Sequence, residues 1–218
     1  MRQGEEALEQ PELVQHLLRR GVDRVAAEVA QEVAVALEHG RADAAAGEQQ
    51  AEVGVVGARA PQLLAVDDPL VAVLDGDRFH TLAKEDGPDF RVTSDPGYRG
   101  ALHSSALGLC LLAFAPEDVR ERLVGTTELE PRTPATLTDR GELRRRVERI
   151  RREGWSTQDE EHDVGMVAVA VPVLRPGGGC VGSLALSAPV FRHRLEDLVG
   201  MVPALREAAE ELGARLTG

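Results

Sequence analysis

Four groups of residues in this chain have the types and spacing to do chemistry. Asp159-Glu160-Glu161-His162 sets three carboxylates beside an imidazole, the material of a divalent-metal site or of an acid–base pair. Consecutive side chains on a loop or at a strand start point in different directions and cannot all face one ion. The run therefore reads as an acidic surface turn in which Glu161 or His162 satisfies backbone groups. His103 and Cys110 have the types of a nucleophile pair, but seven residues apart on a helix they stand two turns, roughly 10 Å, from each other. Cys110 also lies in the apolar run Leu109 to Phe114, where a buried and inert thiol is expected. Arg144, Arg145, Arg146, Arg149, Arg151 and Arg152 could grip nucleic acid, yet Glu142, Glu148 and Glu153 are interleaved with them, and a solvated helix face fits better. Gly177-Gly178-Gly179 is followed by no Lys-Ser/Thr pair, so it reads as a flexible hairpin turn and not as a phosphate loop. No reaction centre emerges. The expectation is a protein that is not an enzyme and holds neither metal nor cofactor.

What remains is binding chemistry. In His103-Ser104-Ser105-Ala106-Leu107-Gly108, Ser104 or Ser105 is placed to cap a helix. The amides of Ala106 and Leu107 then stand as unsatisfied donors in a partial positive field, suited to a ligand carboxylate. A capped, tightly packed helix start without a ligand is the alternative.

The elements that must position these groups follow from pattern. Leu70 to Leu74 reads as a strand ending in the turn Asp75-Gly76, with Arg78 to Ala83 as its antiparallel partner and Phe90 to Thr93 as a further short strand. Ala106 to Ala115 is a helix; Pro116 starts a second with Glu117 and Asp118 in its first turn; Thr138-Asp139 caps a third over Gly141 to Glu153, stopped by Gly154. Met166 to Leu174 and Cys180 to Ser187 form a hairpin of apolar and small residues, and a last helix runs from about Leu195 to Leu216, with Pro203 as a kink or restart. This succession is that of an α+β domain.

The front of the chain differs in alphabet. Before Phe79 there is no aromatic residue and no Ser, Thr, Lys, Ile, Asn or Cys. Val14, Leu18, Val22, Val25, Val29, Val33 and Ala36 recur at helical spacing, which predicts a helix over 12–38, and the Ala-rich, Gly-punctuated text over 40–60 predicts a linker or weakly ordered segment. Formal net charge is −12 and the isoelectric point near 5.0, which speaks against neutralising nucleic-acid phosphates. Two cysteines without a partner pattern imply a reduced compartment, and the absence of a leader or membrane-length apolar run leads to the expectation of a soluble, cytoplasmic chain.

The run HSSALG with following LLAF, the turn from Gly154-Trp155 through Asp159-Glu160-Glu161-His162 to Gly165, and the strand ending in Leu184-Ala185-Leu186-Ser187-Ala188-Pro189 resemble the effector-binding domain of the IclR family of bacterial transcription regulators. The resemblance covers residues 64–218 and leaves 1–63 as an atypical acidic segment rich in Ala, Val and Glu. It implies a GAF/profilin-like curved antiparallel sheet with flanking helices, a pocket for a small organic metabolite, and a homodimer or tetramer. Family members that bind small keto-acids use an acidic side chain, an apolar wall, a thiol and two hydroxyls. Carried over by resemblance, these positions fall on Gln158, Met166, Ala168, Ala185 and Ser187, beside the amides of Ala106 and Leu107. Losing polar partners while keeping apolar wall favours a bulkier, less polar acid, such as an aromatic one.

In the family this domain follows a winged helix-turn-helix. Met1 to Val66 carries six Arg against eleven Asp and Glu, with little to aim at phosphates or base edges. Poor DNA binding by the chain as written is expected, through a DNA-reading part that is missing or replaced, by a misread frame or by descent. Two functions stay open: the sensing part of a regulator whose ligand shifts oligomer state and operator affinity, and a stand-alone small-molecule-binding module.

Overall fold

Alternation of large with small apolar residues builds the centre of this domain. In Met166-Val-Ala-Val-Ala-Val-Pro-Val-Leu174 and in Ser183-Leu-Ala-Leu-Ser-Ala188, successive side chains face opposite sides of a sheet. Val167, Val169, Val171, Leu184 and Leu186 enter one core cluster; Ala168, Ala170 and Ala185 enter the other. Both faces are therefore covered, one by large side chains and one by small ones.

The structure, a computed structural model, describes residues 68–84 and 94–215. The helix expected over 12–38, the linker over 40–60, the boundary at residue 64 and the strand expected over Phe90 to Thr93 lie outside the described residues. Within them, six strands form one antiparallel sheet: β1 (Asp68–Asp75), β2 (Arg78–Lys84), β3 (Arg99–Ala101), β4 (Ser156–Asp159), β5 (Met166–Leu174) and β6 (Cys180–Pro189), in the order β3-β2-β1-β6-β5-β4. The two predicted hairpins, β1–β2 and β5–β6, are both present, and β1 closes onto β6 to join them.

The small-residue face carries α1 (Ala106–Phe114), α2 (Glu117–Thr126) and α3 (Arg140–Glu153); the opposite face carries α4 (Leu195–Gly200) and α5 (Val202–Arg215). Helix α1 is apolar on every side, and Ala106 through Ala113 are all buried. Its cap is Ser105, whose hydroxyl accepts from the Gly108 amide at 2.9 Å. Gly108 permits a close approach: a Cβ there would lie 2.6 Å from the Leu102 Cα. Helix α3 is capped by Asp139 and stopped by Gly154, left-handed at φ 80°. Leu143, Val147 and Ile150 are its buried stripe. The last helix expected from Leu195, with a kink or restart at Pro203, does restart there: the chain turns at Met201 and a second helix begins at Val202. Pro203, in the first turn, has no amide that a helix bond requires.

Candidate functional site

Sheet register assembles the site. Gln158 stands opposite Ala168, and Ala168 opposite Ser187; one row over, Ser156, Ala170, Ala185 and Leu70 follow each other across the strands. These rows lie under the start of α1, and the Ser156 hydroxyl donates to the Ala106 carbonyl at 2.7 Å. Because the residues beneath α1 are alanines and serines, a cavity remains between helix and sheet. Ala106, Leu107, Gln158, Met166, Ala168, Ala185 and Ser187, all named from sequence, line this one cavity, with Phe79, Ser105 and His162 beside them. Its free volume is about 40 Å³, room for water.

The polar side chains of Ser94, Ser105, Gln158, His162, Asp163 and Ser187 border it. Among the described residues, the N–H groups of Ala106 and Leu107 have no acceptor, since the cap hydroxyl of Ser105 serves Gly108 and its carbonyl serves Leu109. They stand as donors at the positive end of α1. Gln158 donates its amide to the Met166 carbonyl at 2.9 Å, which leaves its side-chain oxygen as an acceptor. Among the described residues, no Lys or Arg lines the cavity.

One wall is aromatic. The rings of Phe79, Tyr98 and His162 lie 5.8 to 6.2 Å apart, centroid to centroid, in tilted and edge-on arrangements. A chain with four Phe, one Tyr and one Trp thus commits two of them here. His162 is fixed at both nitrogens: Nδ1 lies 2.8 Å from the Ser104 hydroxyl and Nε2 lies 3.1 Å from the Tyr98 hydroxyl. Burial, reinforced by the Arg132 charge, pushes its pKa down to about 4, so the imidazole is neutral near pH 7. The Ser104–His162 spacing is that of a nucleophile and base, but Ser104 is fully buried and does not line the cavity. The second ring nitrogen meets a phenol and not a carboxylate. The arrangement is a relay that holds a ring in place.

The turn carrying His162 is pinned from outside. Thr133 and Thr136 donate hydroxyls to the Glu160 and Glu161 carbonyls at 2.7 Å each, and Arg132 Nε donates to the His162 carbonyl at 3.0 Å. Glu160, at φ 54°, is the described non-glycine residue with positive φ, a conformation that persists only where its surroundings fix it. Its carboxylate accepts from the Gly165 amide at 2.7 Å. The sequence reading of this segment as a surface turn needs correction. Glu161 and His162 are 8% and 7% exposed, and Glu161 forms a two-pronged ion pair with Arg146 at 2.5 and 2.8 Å. Arg146 accordingly departs from the solvated face expected of α3, whereas Arg144, Arg145, Arg149, Arg151 and Arg152 are exposed. Glu160 and Glu161 each have their own partner, the Gly165 amide and Arg146, and among the described residues no group of His, Cys, Asp and Glu could hold a metal ion.

His103 and Cys110 do not sit on one helix as expected, because α1 begins at Ala106. The His103 ring meets the Glu130 carbonyl at 3.0 Å, with its pKa lowered by burial, and Cys110 is fully buried, its thiol pKa raised by the same cause. Sequence reasoning missed Phe79, His162 and the Arg132–Thr136 clamp as parts of the site. Phe79 carried a signal, as the first aromatic residue of the chain on a predicted strand; the clamp carried none.

Comparison with known proteins bears on what this arrangement is for. Residues 70–214 match the family described as bacterial transcriptional regulator IclR C-terminal. A probable transcriptional regulator SauR of Cupriavidus necator is 36% identical over 56% of this chain and 48% of its own length. The chain spans about half the length of the curated relatives it matches, 48% and 51% for two of them. The Thermotoga maritima IclR crystal structure matches with a TM-score of 0.66 at 26% identity, over 83% of this chain and 73% of that one. An Acinetobacter PobR inducer-binding domain, a double mutant in complex with 3-hydroxybenzoic acid, matches with a TM-score of 0.66 at 26% identity, over 73% and 94%.

Proposed function

Because the chain belongs to the IclR family of bacterial transcriptional regulators, as an effector-binding domain within a regulator and not an enzyme, we propose that the cavity under α1 receives a small organic acid that carries a ring. Its carboxylate meets the free amides of Ala106 and Leu107, its ring lies along Phe79 and His162, and a hydroxyl on it donates to the Gln158 side-chain oxygen. Ala168, Ala185 and Ser187 form the floor. The observation that carries this reading is the meeting, on one cavity, of unpaired helix-start amides with an aromatic wall and, among the described residues, no Lys or Arg. The complex of the PobR domain with 3-hydroxybenzoic acid supports the same chemical class. A ring exceeds the free volume of about 40 Å³, so its entry moves side chains, and Met166, a flexible thioether of intermediate exposure, is the wall that yields. In a dimer or tetramer of a regulator that also carries a DNA-reading part, such binding shifts the balance of assemblies and with it operator affinity.

Isothermal titration tests the first step. Hydroxybenzoates bind with micromolar affinity and Leu107→Trp, which fills the cavity, removes the heat; tight binding of glyoxylate or pyruvate with no response to aromatic acids refutes the reading. The acid excess over residues 1–66 favours a second reading, a module that senses without contacting DNA. Binding to its own promoter region with a steep salt dependence rejects that alternative.

A further inference from the structure

Among the described residues, a guanidinium at the other end of α1 lies buried without a counter-charge in ion-pair distance. Arg120 is 5% exposed. Its Nη1 donates to the Ala115 carbonyl at 3.1 Å, and its Nε, also buried, has no partner among the described residues. No carboxylate comes within ion-pair distance of it there. A buried cation in that situation is costly unless an anion neutralises it. Arg120 borders a cleft of about 390 Å³, between the C-terminal ends of α1 and α3, whose other charged walls are Arg151, Arg152 and Glu148. Glu148 engages Arg151 at 3.7 Å and offers only its backbone carbonyl to Arg152, at 3.3 Å. Three guanidinium groups thus share one carboxylate.

We propose that this cleft is a second binding site, for a small oxyanion, in which Arg120 at the base and Arg151 and Arg152 at the rim grip a phosphate or carboxylate group. Guanidinium forks match the paired oxygens of such groups. The buried position of Arg120 admits only a group small enough to enter the cleft. The site shares no residue with the cavity under α1 and stands whether or not that cavity takes an aromatic acid.

Titration of the full chain with sodium phosphate and, separately, with succinate, against sodium chloride at equal ionic strength, tests the site. Thermal unfolding and isothermal titration are the readouts. Phosphate or succinate raises the melting temperature by several degrees beyond chloride, and the one that does so identifies the group bound. Arg120→Met and the double variant Arg151→Ala/Arg152→Ala each lose at least ten-fold in that affinity, while Leu107→Trp retains it. The rim variant changes only exposed residues and keeps the test decisive should Arg120→Met fail to fold. Equal shifts with chloride, no shift with either anion, or undiminished affinity in the rim variant overturns the proposal.

Discussion

Ser104 Oγ and His162 Nδ1 lie 2.8 Å apart across 58 residues of chain, joining the turn that leads into α1 to the turn that follows β4. Both partners are buried, so removing one strands the other. Ser104→Ala lowers stability by roughly 1 to 3 kcal/mol, the cost of an unsatisfied buried polar group, measured by urea unfolding. Tyr98→Phe does the same at the second ring nitrogen. A double-mutant cycle that finds the two losses simply additive rejects the relay.

The depressed pKa of His162 gives stability a pH dependence of definite sign. Above its ordinary value of 6.5 the ring is neutral folded or unfolded and contributes nothing. As pH falls from there toward about 4, the unfolded chain takes up a proton that the folded one refuses, and stability drops, by about 3 kcal/mol at most. His103, lowered for the same reason, acts in the same direction. The melting temperature therefore declines through this window, and His162→Phe flattens the decline; a curve that the substitution leaves unchanged contradicts the assignment.

Arg146 and Glu161 behave as a unit. Arg146→Met leaves a carboxylate that is 8% exposed without its ion pair and costs roughly 3 to 5 kcal/mol. Combining it with Glu161→Leu restores much of the loss, because two apolar groups replace two charges. Chemical denaturation of the three variants reads both effects.

Gly108→Ala tests the close approach. Alanine favours a helix over glycine by about 1 kcal/mol, but the added carbon would meet Leu102 backbone atoms at 2.6 to 2.9 Å, and overpacking against backbone outweighs that gain. The variant melts lower than the parent; a higher melting temperature would show that the loop gives way.

Much of this architecture was legible in the sequence because it rests on local pattern. The hairpin from Met166 to Pro189 is written in its period of two, and α3 in its cap, its stripe and Gly154. β4 was not legible: Ser156-Thr157-Gln158-Asp159 is short and polar, and it is a strand because β5 offers it an edge. The three residues of β3 likewise owe their state to β2. In the site, the residues carried over by resemblance fall together because register sets Gln158, Ala168 and Ser187 side by side. Phe79, on β2, and His162, in the turn after β4, come from opposite halves of the sheet order, and only tertiary folding brings their rings to 6.0 Å.

Helix α1 has its first turn in one cavity and its last in another, and no water-facing side between them. Nine residues span only about 13 Å, and a rod so short, wedged on every flank by close-packed neighbours, cannot flex to absorb a push. Room for a molecule at its front end is therefore made by the side chains that line that cavity, and not by bending of the helix.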